Sequence, residues 1–317
     1  MPRASPRLVL AGKTRAERRR LRAGISLKAI SISPKTRQRY EAAVGAILPF
    51  LEAQDGSLSL DHVISEWVEL QWVLGESVNT IADCLSGLHY FRPDLKGTLK
   101  QAWKLFSTWR RVESPSRAPP ITAVIVKAFI ARAVESDDLD FAVLVALGFH
   151  SLLRTGELLA LQYQDFELGE SCGVVTLKSS KTGLRHGSEE AVAIRDRLTL
   201  MLLDTLFSWQ PWRPGNRIWP FSPQAFRETF RRYLGFFRVA NLSFKPYSMR
   251  RGGATLLLQE GVPLDVILLR GRWRSLAVAR IYLEDALAQI PQMRIPPPDF
   301  ERILLHANQC PQTAFQP

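Results

Sequence analysis

The sequence predicts a mainly α-helical protein with one small β-hairpin, built as two domains. Its 317 residues are more than one comfortable core holds, which favours two domains. Apolar residues recur at helical spacing along most of the chain. Two short segments with β-branched residues, 173–178 and 191–194, flank a polar stretch that contains glycine, and they therefore predict the hairpin.

The first third of the chain predicts a small helical domain behind a basic tail. Residues 1–32 show no sustained periodicity, and we expect them to form a disordered basic tail. Ser33 followed by Pro34 favours a helix start, with serine as the cap and proline at the first helical position. This helical domain is expected over residues 33–112, and its further helices are expected at 60–75, 77–90 and 98–111.

A proline-rich segment, residues 113–120, predicts an extended connector with few contacts to either domain. The second domain is expected over residues 121–290 as a mixed α+β domain. A proline-rich tail, residues 291–317, follows it and contains one short amphipathic candidate, Phe300 to His306. Helical patterns in the second domain cover 122–135, 138–149, a segment beginning near Arg154, 197–209, 222–234, 247–260, 263–269 and 276–290.

The positive charge of the chain is concentrated in two regions. The net charge is +12. Residues 1–40 hold twelve Lys or Arg and one acid, a net of 12 − 1 = +11, and residues 221–281 hold eleven and three acids, a net of 11 − 3 = +8. Such regions indicate a polyanionic partner, with nucleic acid as the default. For the tail alone, a solvated basic segment or a nuclear address fits as well.

Composition disfavours membrane and metal-dependent classes. The sequence has no run of 18 apolar residues, and the apolar stretch near its start is too short for a secretory signal. Cys84, Cys172 and Cys310 are far apart and form neither a metal-ligand spacing nor a disulfide framework, and the five histidines are scattered. We therefore expect a soluble intracellular protein with no membrane partner and no metal site.

Two motifs place a cation at a helix start and in the hairpin turn. Arg154 begins a helix in Leu-Leu-Arg-Thr-Gly-Glu, and its ordinary explanation is a surface salt bridge with Glu157. Lys181 lies in the turn Ser-Ser-Lys-Thr-Gly, where a lysine is normally only solvated. Lys178 lies in the same turn. Neither motif is specific by itself.

A third motif, Pro-Tyr-Ser-Met-Arg-Arg-Gly-Gly, places Tyr247 and Arg250 near a helix start. Free backbone N–H groups at such a start favour phosphate. Gly252 and Gly253 are small enough for another backbone to approach closely. The ordinary explanation is a tightly packed helix start with exposed arginines.

The last motif, Arg-Gly-Arg-Trp-Arg-Ser, holds Trp273 between arginines in a loop. Tyr282 follows nine residues later on a predicted helix. Either aromatic residue alone would usually be explained by packing.

Taken together and in this order, the motifs resemble the catalytic domain of the tyrosine recombinases, or phage-type integrases, in a Cre-like form. The resemblance covers roughly residues 120–290, whereas the helical region 35–112 fits the family's core-binding domain only by size, position and helicity. The matching residues are Arg154, Lys181, Tyr247, Arg250, Trp273 and Tyr282.

The resemblance implies that Tyr282 attacks a DNA phosphodiester and forms a 3′-phosphotyrosyl bond. That bond conserves the energy of the phosphodiester, so rejoining needs neither ATP nor another cofactor. Arg154 and Arg250 would hold the non-bridging oxygens bidentately, and Trp273 would donate its indole N–H to the same phosphate.

The leaving 5′-oxygen needs a proton, and the resemblance implies that Lys181 supplies it, with Lys178 as the alternate. It also implies double-stranded DNA as the partner, a homotetramer on two DNA sites, and no small-molecule substrate. The expected location is with DNA, in the nucleus of a eukaryote or the cytoplasm of a bacterium.

Tyr247 departs from the family pattern, which usually has histidine at this position. A tyrosine can donate a hydrogen bond to a phosphate oxygen but is not a base near neutral pH. A catalytically inactive mobile-element remnant that only binds DNA therefore remains an alternative. Two others are a type IB topoisomerase, which the short chain and the first motif disfavour, and a helical DNA-binding regulator, which the ordered motifs disfavour.

Overall fold

A computed structural model describes residues 12–54, 56–113, 117–177, 190–209, 211–279 and 285–310. The chain forms two compact units that divide after residue 116. Within the described ranges, no helix is both long enough and apolar enough to cross a membrane.

The first unit is helical, as predicted. Ser33, Ser59 and Ser77 each accept a backbone hydrogen bond from the first turn of the following helix, which confirms the predicted start at Ser33 and explains where the next two helices begin. Helix α3 packs on α5 and α4 packs on α6, around a core that includes Ile64 and Leu85. The helices are α1 (Arg15–Arg22), α2 (Leu27–Ile30), α3 (Pro34–Glu52), α4 (Leu60–Val73), α5 (Val78–Phe91) and α6 (Lys100–Val112).

Helix α1 lies inside the segment that the sequence predicts to be a disordered tail, so the expectation is wrong for these residues. A capping box explains the helix. The Thr14 hydroxyl accepts from the Glu17 N–H at 3.3 Å, and the Glu17 carboxylate accepts from the Thr14 N–H at 2.7 Å. None of the residues of α1 is buried.

The second unit is a helical bundle with one small sheet, as predicted. Helix α8 is buried along nearly its whole length and packs on α7, α10 and α12. Stacked aromatic rings, among them Phe141 on Tyr233 at 4.2 Å, fill the space between α8 and α11. The helices of the second unit are α7 (Ala123–Glu135), α8 (Leu139–His150), α9 (Thr155–Leu158), α10 (Arg197–Ser208), α11 (Pro223–Phe236), α12 (Tyr247–Gln259), α13 (Leu264–Gly271), α14 (Leu276–Ala279), α15 (Asp285–Met293) and α16 (Pro297–Gln309).

The sheet is antiparallel in the order β1 (Phe166–Leu168), β2 (Gly173–Leu177), β3 (Glu190–Ile194). The two predicted strands pair with Val175 opposite Val192, which confirms the hairpin strands. The turn between them, residues 178–189, lies outside the described residues. Strand β1 has only three residues, too few for alternation to be recognised in the sequence.

The proline-rich segment after residue 290 contains a helix that packs on the second unit. Helix α16 packs along α7 of the same chain and buries Ile303 and Ala307. Pro297 and Pro298 occupy its first turn, where a missing N–H costs no helical hydrogen bond. The amphipathic candidate therefore covers its own unit.

The predicted connector is also held more firmly than expected. Pro120 is buried, the Ile121 N–H donates to the Ser248 carbonyl at 3.3 Å, and Arg251 donates to the carbonyl of Ala118. Residues 117–120 are thus part of the second unit, because the start of α12 supplies partners for their backbone.

Candidate active site

Four of the six predicted site residues lie in described parts of the second unit. Arg154 caps the start of α9, Tyr247 and Arg250 lie in the first turn of α12, and Trp273 follows the end of α13. Lys181 and Tyr282 lie outside the described residues, so their predicted roles remain predictions.

Helix α12 reaches its position because two glycines let it pack without side chains. A Cβ atom on Gly252 would lie 1.9 Å from the carbonyl oxygen of Ile121, and one on Gly253 would lie 2.0 Å from that of Phe149. Both distances are far below contact, so only glycine fits. The predicted close approach is confirmed, and it places Arg250 against the chain that leads into α9.

Arg250 is the central side chain of the site and is only 1% exposed. Its guanidinium donates to the carbonyls of Leu152, at 2.7 Å, and Gly271, and it lies 5.0 Å from the ring centroid of Trp273. Burial, followed by the nearby charges of Arg272 and Arg154, lowers its pKa to about 10, which leaves it a cation at neutral pH. Arg250 therefore links, through hydrogen bonds, the segment just before α9 to the C-terminal end of α13.

The structure departs from two expectations for the third motif, namely exposed arginines and free N–H groups at residues 248 and 249. Arg250 and Arg251 are buried, not exposed, because each donates to backbone carbonyls inside the unit. The N–H groups of Ser248 and Met249 are also engaged, with the carbonyls of Lys245 and Pro246. The side chains at this helix start, and not these two N–H groups, are the donors that a phosphate would meet.

Trp273 is held by the turn that ends α13. Arg272 adopts a left-handed conformation with φ 52°, and the Trp273 N–H then closes the helix on the carbonyl of Leu268 at 3.0 Å. A Cβ on Gly271 would lie 2.1 Å from the Trp273 ring. The indole is 8% exposed and packs against Gly271 and Arg250.

Arg154 is held by Glu157, which is the ordinary explanation that the sequence offers. Its backbone N–H donates to Glu157 Oε2 at 3.0 Å, and its Nη1 lies 2.5 Å from Glu157 Oε1. The Arg154 side chain is 29% exposed, whereas that of Glu157 is 6% exposed. Trp219 anchors the other end of α9, since its indole N–H donates to the Leu158 carbonyl at 2.6 Å. The guanidinium of Arg154 is thus the solvent-facing member of a buried ion pair.

Arg272 is a further member of the site that the sequence analysis did not assign. Its Nη2 donates to Glu157 Oε2 at 2.6 Å and its Nε lies 3.3 Å from Glu190 Oε2, with a side chain that is 6% exposed. Burial would raise the pKa of Glu157, but the charge of Arg272 and hydrogen bonds from Arg154 hold that pKa below its ordinary value. The only signal in the sequence was an arginine between Gly271 and Trp273.

The cluster carries three guanidinium groups and two carboxylates, those of Arg154, Arg250, Arg272, Glu157 and Glu190. Its net charge of 3 − 2 = +1 favours an anion, and planar guanidinium groups suit the geometry of a phosphate.

Tyr247 lies at the rim of this cluster. It is 38% exposed at the start of α12 and lies close enough to Arg250 to interact with it electrostatically. This places Tyr247 on the exposed side of a cationic site, three residues before its most buried arginine.

The fold and the arginine cluster of the second unit are those of a tyrosine-recombinase catalytic domain. In the chain this unit follows the helical unit. Residues 122–288 match the phage integrase family, and the chain belongs to that family. Both the predicted family and the predicted fold class are therefore confirmed.

The chain is similar to tyrosine recombinases and integrases along most of its length. It is 25% identical over 277 residues to the tyrosine recombinase XerD of Pseudomonas putida, across 83% of this chain and 90% of that protein. Among solved structures, the integrase of transposon Tn1549 in complex with circular intermediate DNA superposes with a TM-score of 0.56 at 13% identity, across 87% of this chain and 97% of that one. A lambda integrase dimer bound to a COC′ core site gives 0.54 at 18% identity, across 86% and 93%. These structures share the fold.

Proposed function

We propose that this chain is a site-specific DNA recombinase that cleaves and rejoins double-stranded DNA through a 3′-phosphotyrosyl intermediate on Tyr282. The observation that carries the proposal is the cluster in which Arg250, Arg154 and Trp273 meet from three separate helices. Family membership supports recombination as the biological class.

Arg250 supplies a preorganised positive charge. Its contacts with two carbonyls fix the guanidinium before DNA arrives, so little reorganisation is needed when charge builds on the non-bridging oxygens. Trp273 fills the space beside it and adds an indole N–H to the same phosphate.

Arg154 reaches the phosphate by exchanging its Glu157 contact for a phosphate oxygen. Glu157 then keeps its neutralising partner, Arg272, so no buried carboxylate is left alone. In the absence of DNA, the ion pair with Glu157 thus holds Arg154 in a position from which its side chain can turn toward the phosphate.

The covalent step balances without a cofactor. The Tyr282 phenol gives its proton to water as its oxygen attacks phosphorus, the bond to the 5′-oxygen breaks, and Lys181 gives that 5′-oxygen a proton. The 5′-hydroxyl of another strand reverses the step and releases Tyr282. The phenol of Tyr247 donates a hydrogen bond to the phosphate in place of the histidine that is usual in the family.

The proposed partners are double-stranded DNA and three further copies of the chain, in a homotetramer on two DNA sites. Residues 33–112 are proposed to bind DNA as a core-binding domain, and the protein is proposed to act where its DNA is located inside the cell.

Covalent trapping on a library of nicked duplexes tests the proposal and reports the site. Wild type should form a covalent adduct, and Tyr282→Phe should form none while it binds the same duplex with nearly unchanged affinity, because one oxygen is removed. An adduct in the Phe variant refutes the role of Tyr282.

Tyr247 gives one observation in favour of a DNA-binding remnant, the alternative function. In that case wild type binds duplex without forming an adduct, and only Tyr247→His, which restores a group that exchanges protons near neutral pH, forms one.

A further inference from the structure

Helix α1 carries an arginine stripe on one face. With 3.6 residues per turn, residues at i, i+3, i+4 and i+7 lie within an arc of about 100°. Every member is exposed, and the other positions of the helix, Ala16, Glu17, Arg20 and Leu21, lie outside that arc. The arginine stripe consists of Arg15, Arg18, Arg19 and Arg22.

We propose that the arginine stripe of α1 binds the phosphate backbone of duplex DNA. The inference rests on the proposed function in that its partner is DNA. It adds a preformed contact surface to a segment whose charge alone would allow a diffuse, unstructured interaction.

The helix is preformed in spite of its charge. Like charges at i, i+3 and i, i+4 repel one another, and eight residues are too few for a stable isolated helix. The Thr14–Glu17 capping box and three arginines in the last turn, which suit the helix dipole, oppose that repulsion. A row of phosphates would relieve the repulsion that remains along the stripe.

The dimensions of the stripe fit a phosphate row. Seven residues separate its ends, an axial length of about 10 Å at 1.5 Å per residue. One strand of a duplex presents a phosphate about every 3.4 Å along the axis, so the stripe spans about three of them. Leu21 is the only large apolar side chain of α1, which leaves little to insert into a lipid surface.

The segment behind the stripe is tied to α5. The Ser31 hydroxyl lies 3.2 Å from the Tyr90 hydroxyl. The eight residues between α1 and Ser31 reach at most about 28 Å when extended. The stripe therefore binds DNA close to the helical unit and lengthens the stretch of duplex that one protomer contacts.

The experiment measures binding of the full-length protein to a labelled duplex of arbitrary sequence between about 50 and 200 mM salt. Two single variants remove the same charge on and off the stripe, Arg19→Gln and Arg20→Gln. A third variant, Arg19→Leu with Leu21→Arg, keeps composition and net charge but moves one arginine outside the arc of the stripe. The fourth replaces all four stripe arginines by Gln.

Arg19→Gln should reduce the log–log salt slope by about 0.9 and the fourfold variant by about 3, whereas Arg20→Gln should leave the slope nearly unchanged. The exchange variant should lose slope as Arg19→Gln does. Because α1 buries no residue, all variants should keep the wild-type unfolding temperature.

Equal effects of Arg19→Gln and Arg20→Gln, or an exchange variant that binds as wild type, would overturn the proposal in favour of a diffuse charge. Stripe variants that lose binding to anionic phospholipid vesicles but not to the duplex would overturn it in favour of a membrane. If wild type forms the covalent adduct while the stripe variants keep its salt slope, only this inference fails. If wild type binds no duplex at all, the proposed function fails with it.

Discussion

Replacing Arg272 by Met should show how the buried ion pair supports the site. The change keeps a long side chain but removes the charge that neutralises Glu157, whose side chain is 6% exposed. Breaking a buried pair by removing one partner costs about 3–5 kcal/mol, and Arg154 still contacts Glu157, so we expect about 3 kcal/mol. For a unit of this size, that lowers the unfolding temperature by about 6–12 °C.

Scanning calorimetry of the full chain measures this effect, with Arg231→Met as the control. Arg231 is exposed in the same unit, so its replacement should change the unfolding free energy by less than about 0.5 kcal/mol. Adding Glu157→Gln to Arg272→Met removes one of the two carboxylates that Arg272 neutralises and should recover part of the loss. If the change in unfolding free energy of the double variant equals the sum of those of Arg272→Met and Glu157→Gln, the two side chains do not couple and the reasoning is refuted.

The same variant predicts a pH dependence. The pKa of Glu157 is held below its ordinary value of 4.5, so its stabilising contribution is present above that pH and is lost as the pH falls through the lower folded value. In Arg272→Met the pKa of Glu157 rises. The difference in unfolding free energy between wild type and Arg272→Met should therefore shrink as the pH falls from the raised pKa of Glu157 in the variant to its lowered pKa in wild type. A difference that is constant from neutral to acid pH would contradict this.

Three further predictions concern cleavage and packing. Arg154→Ala and Arg250→Ala should each lower single-turnover cleavage by about 10²–10³, and near-normal cleavage removes either residue from the site. Arg250→Ala should lower the unfolding temperature more than Arg154→Ala, because Arg250 is buried and Glu157 keeps Arg272 as its partner when Arg154 is replaced. Tyr247→Phe should slow cleavage by about tenfold or more through loss of a hydrogen bond to charged phosphate, and Tyr247→His should keep or raise the rate; a Phe variant as fast as wild type makes Tyr247 a packing residue. Gly252→Ala should cost about 3 kcal/mol or more in unfolding free energy, whereas Gly235→Ala, a helical glycine with open space around it, should stabilise slightly; equal effects would mean that α12 does not need the close approach.

Arg251 is an unsuitable control for the Arg250 variant, although it is the neighbouring arginine in the sequence. Arg251 looks like a neutral neighbour of Arg250, but it is 3% exposed and donates to the Ala118 carbonyl. Arg251→Ala should therefore destabilise the unit, and Arg231→Ala is the better comparison for Arg154→Ala and Arg250→Ala.

Local chemistry made much of this protein predictable from sequence. The cap at Ser33, the alternation of β2 and β3 and the glycines of α12 act over a few residues, so their spacing indicates the structure directly. The ordered motifs also identified the family, because the order of residues along the chain can be read without any knowledge of the packing.

Only the tertiary structure decided how those residues meet. Arg250 and Leu152 are 98 positions apart, and Arg272 and Glu157 are 115 apart, so no local pattern links them. In the sequence, Arg272 between a glycine and a tryptophan looks like a surface residue. In the structure, the left-handed turn that ends α13 directs its side chain toward the buried carboxylate of Glu157. Burial is a property of everything packed around a side chain. For that reason the sequence could name Arg154 and Arg250 but not Arg272, and it could not say which of the three water reaches.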